Sequence, residues 1–370
     1  MTQPRCVRKS WRSVVRVLSG SGCRTAKWLV LSFLCAKNGR RRIDTPAMQA
    51  LLDAIAAMPP PGDACRIFHG RGGLYPGCEQ WTLDAYPPVF VLTSFAPTTD
   101  EQLATIGAAL QARWQQIAPP DQTPPLNWVF QQRGQELRLQ ARSDTLLMAG
   151  SVPDLHIVTE GPARFLVHVL RGQNHGLFLD MAEGRRWVRE FAADFTRREG
   201  RGARVLNLFA YTCAFSVAAL QGGAAHVTNL DMARGALATG QQNHRLNRLT
   251  QGASFLAHDL FSSWGKLTRS GPYDLVIADP PSYQKGSFVA TKDYARLLRR
   301  LPGLLAPGGH ALLCLNAPEL STEFLLSQVR EHAPSLAFVE RVANPVAFAD
   351  VDEGRGLKVM VYRANQLNSL

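Results

Sequence analysis

Seven cysteines are scattered through the 370 residues without one CxxC pair or any Cys/His cluster of zinc spacing. That excludes the common zinc modules, and an odd, dispersed set points to a reducing cytoplasm rather than a disulfide framework. No metal is expected. No fixed-period repeat is present, so a solenoid or propeller is excluded. Acidic residues are missing altogether from positions 1 to 43, which hold eleven Lys and Arg, whereas the rest has 30 basic and 29 acidic side chains. The formal charge of +12 therefore falls to +1 beyond that segment, and global charge says little about the folded body.

The basic segment has one apolar stretch, Trp28 to Ala36, and nine residues cannot span a bilayer. Neither a clear signal-peptide n-region nor a small-residue cleavage site accompanies it. Residues 1–47 are read as a basic extension, disordered or misassigned, with a nucleic-acid arm as the alternative. Met48 would begin the helix-like run "MQALLDAIAAM" and is a second candidate start.

Two proline-rich breaks, "MPPPGDA" and "APPDQTPPLN", punctuate the next hundred residues. Between and after them "PVFVLTSF", "LNWVF", "LRLQAR" and "LHIVTE" read as strands, and "TDEQLATIGAALQARWQQIA" as an amphipathic helix opened by a Thr/Asp cap. Residues 48–160 are thus expected to form a small α+β domain. From Arg204 short apolar runs alternate strictly with helical stretches, the pattern of a parallel sheet covered on both faces. The last two strands, "LAFVERVA" and "LKVMVYRA", have no helix between them, so an antiparallel pair is expected at one edge.

In a doubly wound sheet, ligands lie outside the carboxyl ends of the strands, near the reversal of strand order. Strand one delivers "NLFAYTCAFS", strand two Asp231, strand three Asp259, strand four "DPPSY" and strand five "CLNAPE". Asp231, 22 residues past Phe209, has the spacing of a ribose-binding carboxylate, and Asp259 could accept from an adenine amine. Alone, either could be a helix N-cap; as an ordered series they favour a nucleoside ligand. The first turn, Asn207 to Phe215, contains no glycine, so it lacks the G-x-G-x-x-G that lets backbone approach a pyrophosphate. Adenosine without phosphate, as in S-adenosylmethionine, fits better than a dinucleotide.

Five stretches, "VLNLFAYTCAFSVAALQGGA", "NLDMARGALATGQQNHRLN", "FLAHDLF", "YDLVIADPPSYQKGSF" and "LLAPGGHALLCLN", resemble the successive motifs of class I S-adenosylmethionine-dependent methyltransferases. More narrowly, with "GQNHGLFLDMAEGRRWV" and "EGRGLKVMVYR", the chain is similar to bacterial 23S rRNA large-subunit methyltransferases of the cytosine-C5 and guanine-N7 types over about residues 64 to 363. The resemblance implies a doubly wound, mostly parallel seven-stranded Rossmann-like sheet with an antiparallel edge strand, in residues 161–370. It implies S-adenosyl-L-methionine as cofactor, bound by Asn207, Phe209, Ala210, Thr212, Asp231, Met232, Asp259 and Asp279. Phe178, Asp180 and Arg185 would fold over it from outside the sheet. Where the family has a Gly-Gly pair this chain has Cys213 and Ala214, which motivates an alternative: a catalytically weak or inactive RNA-binding protein of the same fold.

RNA, large-subunit rRNA above all, is the partner the resemblance implies, with no membrane involved. No counterpart of the N-terminal RNA-binding domain of the cytosine-C5 enzymes is expected before Cys65. Recognition would fall on the small domain, including "FHGRGGLYPG", and on the basic stretch Arg185, Arg186, Arg189, Arg197, Arg198, Arg201 and Arg204, unless these form an ordinary solvated helix face. Catalysis is expected at Asp279, Pro280, Pro281 and Tyr283, whose ring could stack on an unstacked base. The loop "QKGSF" with Lys285, and Lys292, Asp293 and Tyr294 after it, could cover the site. Cys314 divides the chemistries: cytosine C5 is not nucleophilic until a thiolate adds to C6, whereas guanine N7 or an amine needs no such residue.

Overall fold

The computed structural model describes residues 48–118, 124–134, 144–172, 174–281, 283–284 and 288–365. The expected extension 1–47, the run "LRLQAR", Ser282, Lys285 and the Tyr283 side chain lie outside the described residues.

A five-stranded sheet comes first, with strands β1 (Cys65–His69), β2 (Trp81–Tyr86), β3 (Val89–Ser94), β4 (Asn127–Gln132) and β5 (Asp144–Ala149) in sequential order. Helix α1 (Gln49–Ala57) precedes it, and α2 (Asp100–Ile117) carries the crossover that makes β3 and β4 parallel. The expected cap of α2 is a full capping box. Thr99 Oγ1 accepts from Gln102 N at 3.2 Å, and Gln102 Oε1 accepts from Thr99 N at 3.0 Å. Leu51, Ile55, Ile106 and Leu110 of the helices pack on Trp81, Phe90, Leu92 and Trp128 of the sheet. Its other face, with Val89, Val91 and Val129, packs on a hairpin of β6 (Ile157–Glu160) and β7 (Ala163–Leu166) that spans the expected boundary near residue 160.

Helix α3 (Ala182–Glu199) leads into the second sheet. Its elements are β8 (Arg204–Leu208), α4 (Ala214–Gln221), β9 (His226–Leu230), α5 (Arg234–Leu246), β10 (Ala253–Leu256), α6 (Trp264–Ser270) and β11 (Tyr273–Ala278). There follow a small ribbon of β12 (Tyr283–Gln284) and β13 (Phe288–Val289), then α7 (Ala290–Leu298), β14 (Leu305–Leu315), α8 (Thr322–His332), β15 (Leu336–Val342) and β16 (Lys358–Ala364). The seven strands run β10-β9-β8-β11-β14-β16-β15, parallel through β14. Period-two alternation divides the core: Leu206, Val276 and Leu313 face one layer of helices, while Val205, Leu275 and Leu312 face the other.

The last two strands pair antiparallel at one edge, as their missing crossover helix predicts. The strand that opposes the others is β16, and it inserts between β14 and β15, one place in from the edge. The sequence order reverses between β8 and β11, so a crevice opens above their carboxyl ends. Among the described residues, no helix is long and apolar enough to cross a membrane, and no group of three or more His, Cys, Asp or Glu could hold a metal ion.

Candidate functional site

The crevice is a cleft of about 460 Å³, within the ordinary range for small-molecule sites. Its floor is the loop after β8, where Phe209, Tyr211 and Cys213 take left-handed backbone angles of φ 58°, 48° and 61°. Such angles are costly without glycine, so the surroundings must impose them. They do so with hydrogen bonds. Ala210 N donates to Leu230 O at 3.0 Å, Tyr211 N to Asp231 Oδ2 at 2.8 Å, and Cys213 N to Ala210 O at 2.7 Å. Thr212 Oγ1 donates to Gly176 O at 2.6 Å, and Asn243 Nδ2 of α5 donates to Thr212 O at 2.9 Å.

The next two strand ends supply carboxylates. Asp231 is held by two amides, since Oδ1 also accepts from Ala233 N at 2.7 Å. Asp259 accepts from Ser262 N at 2.8 Å, in a turn ahead of α6, whose N-cap is Ser263. Neither aspartate is therefore the cap residue of its helix. Met232, half exposed, and Phe261 add apolar wall beside them.

A flap formed by residues 174–181 closes the opposite side. Arg185, at the start of α3, is buried, with Nε and Nη2 on the Glu160 carboxylate at 2.7 and 2.5 Å and a second Nη2 bond to Phe178 O at 2.8 Å. This clamp ties the hairpin to the flap. The Phe178 ring rests 5.3 Å from that of Tyr211, so flap and floor meet at the mouth. Asp180 lines the same wall, its carboxyl raised by burial against the opposing pull of Arg66 and Arg185.

Asp279, Pro280 and Pro281 end β11 on the cleft wall. Burial raises the Asp279 carboxyl to about 7, the nearby charge of Asp180 adds to the shift, and Arg185 opposes it. A carboxyl that titrates near neutrality inside a cleft has the character of a functional group.

Two expected site residues are placed elsewhere. Asn207 shares the helix-covered face of β8 with Val205, because side chains alternate along a strand; it is buried and donates to Asn229 Oδ1 at 2.9 Å. Asn229 passes the chain to Ser216, which meets His244 at 2.9 Å. Asn207 thus supports the loop from below and does not line the cleft. Cys314, predicted as the deciding residue for the chemistry, is fully buried in the core with Leu312, Leu357 and Val359. Burial raises its thiol well above the ordinary value, and the charges of Asp279 and Asp180 add to this.

Most of the basic stretch is paired, and no ion pair of Arg189 is seen among the described residues. Arg186, Arg197, Arg198 and Arg201 pair with Glu183, Asp194, Glu199 and Asp274, and Arg204 donates to the Ser270 carbonyl. Tyr294 is fully buried, and Asp293 accepts from Val289 N at 2.8 Å at the start of α7, so both serve the helix rather than a lid. Lys292 is exposed. Asn316, in the strand-five ending "CLNAPE", lines the cleft as its strand-end position implies, whereas Tyr211, Glu160 and Asn243 were not singled out from sequence. Tyr211 lies in the loop after β8, which is a visible signal; Glu160 and Asn243 act through hydrogen bonds that reach 25 to 77 residues along the chain.

Comparison with known proteins gives three kinds of match. Residues 65–363 match the profile of the S-adenosylmethionine-dependent methyltransferases. The ribosomal RNA large subunit methyltransferase K/L of Psychrobacter sp. (strain PRwf-1) is 32% identical over 230 residues, 60% of this chain but only 27% of that protein. The ribosomal RNA large subunit methyltransferase I of Cronobacter sakazakii is 30% identical over 309 residues, 80% of this chain and 73% of the relative. Among solved structures, SMU.776 complexed with SAH superposes with a TM-score of 0.67 at 25% identity, covering 82% of this chain and 76% of that one.

Proposed function

Since the chain belongs to the S-adenosylmethionine-dependent methyltransferase family, we propose that it transfers the methyl group to a ring or exocyclic nitrogen of a base in RNA. Large-subunit rRNA is the substrate that the names of its relatives support. The observation that carries the reading is the convergence of Asp231, Asp259 and the Asp279-Pro280-Pro281 corner on one cleft at the strand-order reversal.

The residues present fit the cofactor. Asp231 and Asp259 would accept from ribose hydroxyls and the adenine amine, Met232 and Phe261 offer apolar faces to a purine, and the glycine-free loop brings Phe209, Ala210 and Thr212 to the remainder. When bound, the cofactor supplies an electrophilic methyl on a sulfonium, whose departure needs no acid. The protein's share of the work is then to hold the acceptor in line and exclude water.

Pro280 and Pro281 carry no amide hydrogen, so the corner turns only carbonyl oxygens and the Asp279 carboxylate towards a substrate. For an exocyclic amine these acceptors would grip its N–H groups and take up the proton shed as the nitrogen gains its methyl; guanine N7 carries no proton and would need only to be held in line. Cys314 supports nitrogen over cytosine C5, because a thiol held protonated in the core is a poor nucleophile. Comparison of modified nucleosides in rRNA from wild-type and deletion cells by mass spectrometry tests the reading. Loss of 7-methylguanosine or of an N-methylated amine is expected; loss of 5-methylcytidine, or an unchanged profile, would overturn it.

A further inference from the structure

We propose that a second cavity, of about 320 Å³ at the amino ends of the large sheet, binds a phosphate monoester carried on a small sugar. Neither the methyl transfer nor the RNA reading makes use of it, and it shares no lining residue with the cleft.

The cavity follows from the way the sheet is covered. Arg204, on its wall, opens β8 and stands about 13 Å along the strand from the carboxyl end at Leu208. The parallel register sets Arg204 beside His226 and Thr228 beside Ser254, so the polar side chains of β8, β9 and β10 project from one face. Leu206, Leu208 and Leu230 continue that same face into the core beneath the helices. Helix α6, which lies over this face, has only seven residues, about 10 Å of helix, and it leaves the amino ends of the strands uncovered. Lys266 and Ser270 of α6, with Tyr273, close the remaining side.

The charges on this wall are available. Leu256 is the one apolar side chain that lines the cavity, and no acid lines it. Lys266 is exposed, with no ion-pair or hydrogen-bond partner among the described residues. Arg204 uses Nη2 on the Ser270 carbonyl, and its Nε and Nη1 have no partner among the described residues. The Asp274 carboxylate, next to the Arg204 amide, is already taken: it accepts from Arg201 Nη1 and Nη2 and from Arg204 N, each at 2.8 Å. Burial lowers the His226 imidazole, Arg204 pushes it the same way, and no carboxylate pulls it back. Two cations without a counter-charge, facing one concavity, favour an anion.

The rest of the lining selects what carries the phosphate. Ser254 Oγ, held by His226 Nε2 at 3.0 Å, and the hydroxyls of Thr228 and Ser270 can each donate and accept, which is what sugar hydroxyls require. The volume lies at the lower end for small-molecule sites and exceeds what a bare phosphate needs. Tyr273 is only 1% exposed and donates its hydroxyl to Leu267 O at 3.2 Å, so its ring offers no face to a base. A sugar phosphate is therefore favoured over a nucleotide or an RNA strand, either of which would stack.

Calorimetry on the full chain, with ribose 5-phosphate as probe and SAH saturating the cleft, tests the proposal. Submillimolar binding is expected, with inorganic phosphate weaker and ribose giving no measurable heat. Lys266→Glu should weaken ribose 5-phosphate about tenfold, the scale of one charge-assisted hydrogen bond, and Ser254→Ala should narrow its advantage over inorganic phosphate. Lys292→Glu, the same change of charge at an exposed position on α7, should stay within about twofold. Urea midpoints guard against misfolding, since Lys266 has no partner to lose and its variant should unfold with the wild type. No binding by the wild type, equal losses in Lys266→Glu and Lys292→Glu, equal affinity for inorganic phosphate, or disappearance of the heat when SAH is added would overturn the proposal. Displacement of ribose 5-phosphate by oligouridylate would also overturn it, and would assign the cavity to the RNA backbone instead.

Discussion

The thiol of Cys213 lies where a side chain on residue 240 would have to go. A β-carbon on Gly240 would stand 2.5 Å from the Cys213 Sγ and 3.0 Å from its Cβ. The cofactor loop thus carries a side chain at a left-handed position, φ 61°, because helix α5 gives up one opposite it. Gly240→Ala should therefore cost about 1–3 kcal/mol through overpacking. Cys213→Gly relieves both the clash and the left-handed strain, so the double variant Cys213→Gly/Gly240→Ala should recover most of the loss. Urea unfolding of the four proteins reads the coupling, expected above about 1 kcal/mol; additive effects would show that the two sites are independent.

Asp279 gives a pH signature. Its folded-state value of about 7 exceeds the ordinary 3.8, so between those values the folded chain binds the extra proton and the unfolded chain does not. Stability contributed by this group is present at low pH and is lost as pH rises towards 7. Asp279→Asn should remove that slope, gaining on the wild type in urea midpoint between pH 5 and pH 8 while losing methyl transfer. Parallel pH curves for the two proteins would show that the carboxyl is not held protonated.

A cationic ligand in the same cleft should draw Asp279 into its charged form. S-adenosylmethionine uptake is then expected to release a proton near pH 6.5, and its affinity to rise with pH more steeply than that of SAH, which lacks the sulfonium charge. Calorimetry in buffers of different ionisation enthalpy measures the proton count directly. Identical pH dependence for the two ligands would contradict the coupling.

Legibility in the sequence followed locality. Alternating apolar runs announced β8 to β14 and their helices, because each strand is short, buried on both faces and separated by a helical period. The strand-end positions of Asp231, Asp259 and Asp279 followed from the same alternation. Asn207, expected by resemblance in the cofactor loop, is still inside β8, because the loop with its three left-handed residues begins only at Phe209. Nothing local marks β16 as inserting between β14 and β15, nor Glu160 as the partner of an arginine 25 residues on. The arginine run of α3 reads as a cationic face only until its carboxylate partners, three residues away or across the fold at Asp274, are in place.

The clamp between Glu160 and Arg185 should matter more to ligand binding than to the fold as a whole. Glu160→Ala leaves a buried guanidinium with only the Phe178 carbonyl, at a cost of about 3 kcal/mol by the usual loss on breaking a buried pair. Because that carbonyl belongs to the flap, S-adenosylmethionine affinity should fall at least tenfold even at temperatures where the variant is fully folded by circular dichroism. Glu160→Gln, which keeps an acceptor, should fall between. A variant with wild-type affinity would make the clamp a matter of stability alone.

Cys314 closes the chemical question by its dispensability. Its thiol packs against Leu312 and Val359, and the Tyr294 hydroxyl donates to its backbone carbonyl, a bond that survives any change of side chain. Cys314→Ala should cost about 1 kcal/mol of packing and leave methyl transfer to RNA within about threefold of wild type. Cytosine C5 chemistry would instead lose about 10³-fold or more with its nucleophile removed, on the scale of other covalent catalysts. Single-turnover transfer of labelled methyl to rRNA from deletion cells, at a temperature where both proteins are folded, separates the two. A collapse in rate with intact S-adenosylmethionine binding would put the thiol back into the reaction, and would require β14 to rotate Cys314 out of the core in the RNA complex.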